Sequence, residues 1–294
     1  MRILYATNFL DMIRAGGFAN DYLNDLLFHG LCSLSDVEVI DSTPILHLYK
    51  SSQSNYKYPL WGKAFTTCFL LDHDPNDTDR TNIEDKIKDK YFDYIIYGAG
   101  NRSLNYYELA ASVYDPKRII IIDGDDSPDI KFSELLRHTY FKREIYSDEY
   151  DNLLPIHFAI PQEKIFPFIS GKKQKILARS VPTEGFAGGS FDTEKEYYED
   201  YQQSKFGITT KKAGWDCMRH YEIMANSCIP LFYNIEGCPI RTLTNLDKNL
   251  LKECLDAFLD DSKTYNISKE IHSYARNNLT TTNLAQYVLE KIAQ

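Results

Sequence analysis

Residues 211–234, KKAGWDCMRHYEIMANSCIPLFYN, place Lys211, Lys212, Arg219, His220 and Glu222 beside an apolar run. These residue types can hold a phosphorylated ligand. A helix start exposes backbone N–H groups and carries partial positive charge, and a lysine or arginine beside it completes an anion site. A carboxylate one to two turns further on can accept hydrogen bonds from two sugar hydroxyls. Arg219 and Glu222, three residues apart, thus read as a cation for a diphosphate and an acceptor for a ribose. The same spacing serves an ion pair on a half-exposed helix, worth only about 0.2–0.5 kcal/mol, and spacing alone leaves the two open. Asp216 reads as the helix N-cap, where its carboxylate would compete with a phosphate for the same N–H groups. His220 stands either toward the diphosphate or as a hydrogen-bonded core histidine.

A strand must deliver this site and a helix must carry it. KFGITT reads as the strand before the helix and IPLFYN as the strand after it. Cys217, Tyr221, Met224 and Cys228 recur at helical spacing as the buried stripe. The alternation extends along the chain, with RILYAT, VEVIDST, DYIIYGAG and KRIIIIDGDD as strands in the first half and KILARS opening the second. Strands alternating with helices argue for parallel sheets. We expect an α/β chain of two Rossmann-like domains facing a cleft, residues 1–165 and 166–294, with a proline-bearing linker around 160–173. Residues 44–80, rich in Tyr, Ser, Asn and Asp, read as an insertion with a short strand near FTTCFLL. Ligands in such sheets sit beyond the carboxyl ends of strands. The polar stretches that matter are therefore 8–17, 98–102, 123–126, 179–184, 209–215 and 234–237.

Composition narrows the classes. The chain has 294 residues, 43% of them hydrophobic, enough for a sizeable core and two domains. A formal net charge of −9 gives no global basic field for nucleic acid, so an anionic ligand needs a local cluster. Aromatic residues make up 14%, which suits polar-aromatic grooves. The 6 cysteines show no CxxC pair and read as reduced thiols of a cytoplasmic protein. The N-terminal stretch is a strand start rather than a signal peptide, and no run approaches the roughly 20 apolar residues of a membrane span. No HExxH, HxxxH, GxSxG or P-loop spacing occurs, and GAGNR at 98–102 lacks the rest of a dinucleotide fingerprint.

The run SKFGITTKKAGWDCMRHYEIMANSCIPLF resembles the donor-binding core of GT-B glycosyltransferases and is most similar to the exostosin-like families. There a strand "S-K-F" leads through a glycine-containing turn to an arginine and then to E-A-hydrophobic-x-x-G-C-I-P. The resemblance implies that Glu222 holds the nucleotide ribose and Arg219 the diphosphate, with Lys211, Lys212 and Trp215 as neighbours. Asn226-Ser227 departs from the small residue and glycine of that pattern. YFKREIY with LLPIHFAIP resembles the interdomain region of such enzymes. The tail ARNNLTTTNLAQYVLEKI resembles their closing helices, which cross back to the first domain. Gly16-Gly17, after the first strand and before a helix, resembles a glycine pair that approaches the donor phosphate.

The expected activity is transfer of a sugar from a nucleotide-sugar donor to a glycan, lipid-linked or protein acceptor. No cofactor beyond that donor, no metal and no nucleic acid is expected, and peripheral membrane contact is compatible with the sequence. An inverting transfer needs a base near the acceptor hydroxyl and positive charge on the leaving diphosphate. Asp11 and Asp125 are the candidate bases, and Arg219 with Lys211 or Lys212 the cations. DGDDSPD at 123–129 supports an alternative, a metal-dependent transferase in which Asp123 and Asp125 ligate a hard cation. The same carboxylates would also serve as a loop cluster in which Asp125 or Asp126 caps a helix. Two further alternatives are a non-catalytic nucleotide- or glycan-binding module and an epimerase of the same architecture.

Overall fold

A computed structural model describes residues 1–150, 152–181, 191–260 and 262–294. In the first half, β1 (Arg2–Tyr5), β2 (Glu38–Asp41), β3 (Tyr94–Tyr97), β4 (Ile119–Asp123), β5 (Thr139–Lys142) and β6 (Leu154–Pro155) form one sheet. Its order is β2-β1-β3-β4-β5-β6, and every pairing is parallel. Helices cover both faces of such a sheet, which is why YIIY and IIIID are continuous apolar runs, buried throughout. The strand order reverses between β1 and β3, opening a crevice at their carboxyl ends. Two short helices follow β1: α1 (Phe9–Gly16), capped by Asn8, and α2 (Tyr22–Cys32), capped by Asp21. Helices α3 (Ile83–Lys88) and α4 (Tyr107–Val113) complete this half.

The second half carries a smaller parallel sheet, β7 (Lys175–Leu177), β8 (Ser204–Thr209) and β9 (Ile229–Phe232), in that order. Helix α5 (Glu194–Gln203) precedes β8 and opens with a capping box between Thr193 and Glu196. Helix α6 (Met218–Ala225) joins β8 to β9. Helices α7 (Lys248–Leu259), α8 (Thr264–Asn278) and α9 (Thr281–Ile292) end the chain. Helix α9 crosses back to the first half and lies on α2. The contact is so close that a Cβ on Gly30 would sit 2.0 Å from the Thr281 carbonyl oxygen. His29 Nδ1 and Thr281 Oγ1, 2.9 Å apart, join the two helices. One apolar core runs through both halves, from Leu27 and Phe158 to Met224 and Ala285.

Two local expectations change. FTTCFLL forms no strand, because Ala64 and Phe69 take left-handed φ values of 47° and 53° that break an extended run; only a bridge from Tyr49 to Leu71 remains. The departure Asn226-Ser227 is resolved by the backbone. Ser227 has φ 55°, the conformation in which glycine would normally end the helix.

Candidate functional site

The carboxyl ends of β1, β3 and β4 and the start of α6 face one another across a cleft of about 580 Å³, lined from both halves. The second half contributes Lys212, Met218, Arg219 and Glu222 to the lining, and the first half Asn101, Asp125 and Trp61. Helix α6 is buried along its whole length, so Arg219 and Glu222 are not on the half-exposed flank that helical periodicity implies. Arg219 is 8% exposed, yet its Nε and Nη1 have no hydrogen-bond partner among the described residues. Leaving a buried guanidinium N–H unpaired costs about 1–3 kcal/mol or more, a cost that a bound anion removes. Glu222 spends its carboxylate elsewhere: Oε1 accepts from the Thr66 hydroxyl and Oε2 from the Tyr197 hydroxyl at 2.6 Å. Burial raises the Glu222 pKa, against the pull of those two hydroxyls and of Arg219.

Asp216 does not cap α6. Cys217 occupies the N-cap without a side-chain bond, leaving the first-turn N–H groups without a side-chain cap beside the cleft. Asp216 is instead buried, accepting from Phe158 N at 2.7 Å and the Tyr221 hydroxyl at 3.0 Å. Burial pushes its pKa up to about 7, although Arg143 opposes the shift. Arg143, at the end of β5, ties the halves together. It donates to the Asp216 carbonyl, pairs with Asp126 and Glu144, and lies 4.6 Å over the Phe158 ring. Glu144 Oε1 accepts from Asp216 N at 3.0 Å. Gly214 belongs to this seam, since a Cβ there would meet Glu144 Oε1 at 2.6 Å.

The DGDD loop divides its carboxylates. Asp123 is buried and taken by Tyr140, by Asp125 N and by Lys142 at 3.1 Å. It is thus part of the sheet's own polar network rather than an open ligand. Asp125 lines the cleft, accepting from Ser127 N at 3.1 Å and from Asn101 Nδ2 at 3.4 Å. Burial raises its pKa, but the Ser127 N–H, Lys142, Asn101 and Arg143 together outweigh burial and the net shift is downward. Neither Asp125 nor Asp126 caps a helix: Asp125 closes an Asx turn onto Ser127, and Asp126 holds Arg143.

The other sequence-selected residues scatter. Asp11 lies in the first turn of α1, 3.5 Å from Arg14, and is not part of the cleft lining. Gly16 ends α1 and Gly17 is its C-cap at φ 74°, so the pair closes a helix instead of leading into one. Lys212 lines the cleft. Lys211 turns aside, its ammonium 5.3 Å from the Tyr146 ring and 5.5 Å from that of Trp215. Trp215 is buried against Phe232 and outside the lining. His220 is a core residue, bonded to Thr209 and the Trp215 carbonyl at 2.8 Å each and stacked on Phe232. Burial lowers its pKa to about 3, so it is neutral. Of the stretch 179–184, residues 182–184 lie outside the described residues.

Sequence reasoning missed Thr66, Tyr197 and Arg143, and included Arg102 only within the stretch 98–102. Arg102 donates to the Met12 and Phe18 carbonyls and pairs with Asp21, fixing the loop between α1 and α2. Arg143 sits in YFKREIY, whose basic residues gave no periodic signal. Thr66 comes from the insertion, where no pattern foretold a contact with Glu222.

No family model matches the chain, and no curated protein matches it in sequence, so the exostosin-like pattern stays a resemblance of residues. Solved structures do match over the whole length. An α-glucosyltransferase in complex with UDP-glucose and DNA containing an abasic site is 11% identical, with a TM-score of 0.52 over 100% of this chain and 99% of that one. Anabaena HepE in complex with UDP-glucose is 10% identical, with a TM-score of 0.53 over 100% and 99%. Its complex with UDP gives 0.53 over 100% of both chains. At such identity the likeness is one of fold: two Rossmann-like parallel α/β domains about a cleft, the GT-B architecture of those glycosyltransferases.

Proposed function

We propose that this protein is a glycosyltransferase whose donor is a uridine diphosphate sugar bound on the α6 side of the cleft. One observation carries the reading: Arg219 is buried in the cleft wall with Nε and Nη1 unpartnered among the described residues, next to N–H groups without a side-chain cap at the start of α6. That arrangement suits a diphosphate, since a guanidinium fork and a helix start both bind phosphate oxygens. Lys212 adds charge from the preceding turn, and Glu222 accepts the ribose hydroxyls, exchanging or sharing its bonds to Thr66 and Tyr197. The choice of uridine and of a hexose follows the ligands of the fold relatives.

Arg219 and Lys212 stabilise the leaving diphosphate as negative charge grows on it. Asp125, held ionised and lining the cleft, is the base we favour; Asp11 lies away from it. Residues 1–165 then serve as the acceptor-side unit and 166–294 as the donor unit, with α9 strapped across to the first. The acceptor is a glycan, a lipid-linked sugar or a protein. A location in the cytoplasm accords with the absence, among the described residues, of a helix long and apolar enough to cross a membrane. Calorimetric titration with UDP, GDP and ADP tests the donor reading. UDP should bind the wild type most tightly, and Arg219→Ala should weaken it roughly 10- to 100-fold, the loss of one or two charge-assisted hydrogen bonds. Unchanged affinity in that variant would sink the reading.

A further inference from the structure

We propose that the aromatic wall formed by Phe18, Trp61 and Phe65 is the acceptor subsite and takes a pyranose ring, making the acceptor a saccharide. The inference rests on the donor reading above, which leaves the cleft lining contributed by the first half for the second substrate. All three side chains line the cleft. Phe18 and Trp61 meet edge to face with centroids 5.0 Å apart. Trp61 is 45% exposed, whereas Trp215, the other of the 2 tryptophans, is buried.

The segment that displays the indole is firmly held. Asn20 clasps the Trp61 backbone, its Oδ1 accepting from Trp61 N at 2.7 Å and its Nδ2 donating to Trp61 O at 3.4 Å. The Tyr22 hydroxyl donates to the same carbonyl at 3.2 Å. Gly62, Lys63 and Ala64 then follow with φ 61°, 61° and 47°. Successive left-handed residues are strained unless glycine, and such strain persists where surrounding contacts over-determine it, commonly at ligand sites. Beyond this turn Thr66 reaches Glu222, so the element carrying the indole also touches the carboxylate assigned to the donor.

The chemistry of the wall selects the ligand. A pyranose presents a face of C–H groups that lies flat on an aromatic ring, whose face is electron-rich. Its hydroxyls need polar partners, and Asn101, Asp125 and Lys131 line the same cleft. An acyl chain would need aliphatic walls, but among the described residues the lining offers only Ala15, Ala213 and Met218 of that kind. In the transfer, the acceptor hydroxyl oxygen bonds to the anomeric carbon as the bond from that carbon to the diphosphate oxygen breaks. UDP leaves with the electron pair, and the hydroxyl proton passes to a cleft carboxylate.

The test offers radiolabelled UDP-glucose to the full chain with three immobilised acceptor sets: mono- and oligosaccharides, peptides, and phospholipid vesicles. Label should appear on saccharides. Trp61→Ala should raise the KM for the labelled saccharide at least tenfold, and Trp61→Phe should restore most of it. UDP affinity should stay within twofold of wild type in both, with melting temperatures showing that both fold. Label on peptide or lipid alone, label on none of the sets while UDP binds, or an unchanged saccharide KM in Trp61→Ala each overturns the subsite. Failure of the wild type to bind UDP overturns the donor reading instead.

Discussion

Arg219 and Asp216 show how burial changes the chemistry of ordinary side chains, leaving the one with unpaired N–H groups among the described residues and raising the pKa of the other. Arg219→Lys keeps the charge but loses the planar fork, so its UDP affinity should fall between those of wild type and Arg219→Ala in calorimetry. Glu222→Gln should also weaken UDP. Its amide still accepts from Thr66 or Tyr197 but presents one oxygen fewer to a ribose; wild-type affinity in that variant would remove Glu222 from the donor site. Asp216 makes its own contribution to stability depend on pH. Its folded pKa near 7 lies above the unfolded 3.8, so the folded chain binds a proton that the unfolded chain has already released. Its contribution to stability is full below about pH 4 and is lost as pH rises through about 7. Asp216→Asn has no proton to lose, so its stability relative to wild type should grow by on the order of 2 kcal/mol between pH 5 and 8. Parallel melts of the two proteins across that range would read this, and a constant difference would refute it.

At the scale of elements, the α2–α9 contact is the sharpest. Gly30 exists because the Thr281 carbonyl lies where a Cβ would be. Gly30→Ala should therefore push α9 off α2 and cost about 1–3 kcal/mol, the usual range for overpacking. A lower urea midpoint is expected, and an unaltered midpoint would mean that α9 is not docked as described. The insertion 44–80 plays the opposite part. It has little regular structure, yet it carries both Trp61 at the cleft and Thr66 at Glu222.

Across the whole molecule, the core passes from one half to the other through Phe158, Trp215 and Met218. The Arg143–Asp216 seam and the crossing of α9 add to that continuity. Thermal unfolding should accordingly be a single transition, raised by UDP through mass action by about 2.7 kcal/mol at a hundredfold excess over Kd. Two resolved transitions would show that the halves unfold separately.

The sequence by itself determined the parallel α/β layout, because apolar runs such as YIIY and IIIID and the helices between them are local patterns with a fixed period. It also singled out Arg219, Glu222, Lys212 and Asp125, all of which line the cleft. Asp11, Gly16-Gly17, Lys211, Trp215 and His220 were chosen by nearness in sequence to a strand end, and nearness does not set direction. Gly17 closes α1, and His220 turns into the core, where it bonds Thr209 and the Trp215 carbonyl and stacks on Phe232. Thr66, Tyr197 and Arg143 came to the site only through tertiary structure. Their partners, Glu222 and Asp216, lie 25 to 156 residues away. Such contacts are set by how buried polar groups find partners when two sheets close on one core, a constraint that no local pattern carries.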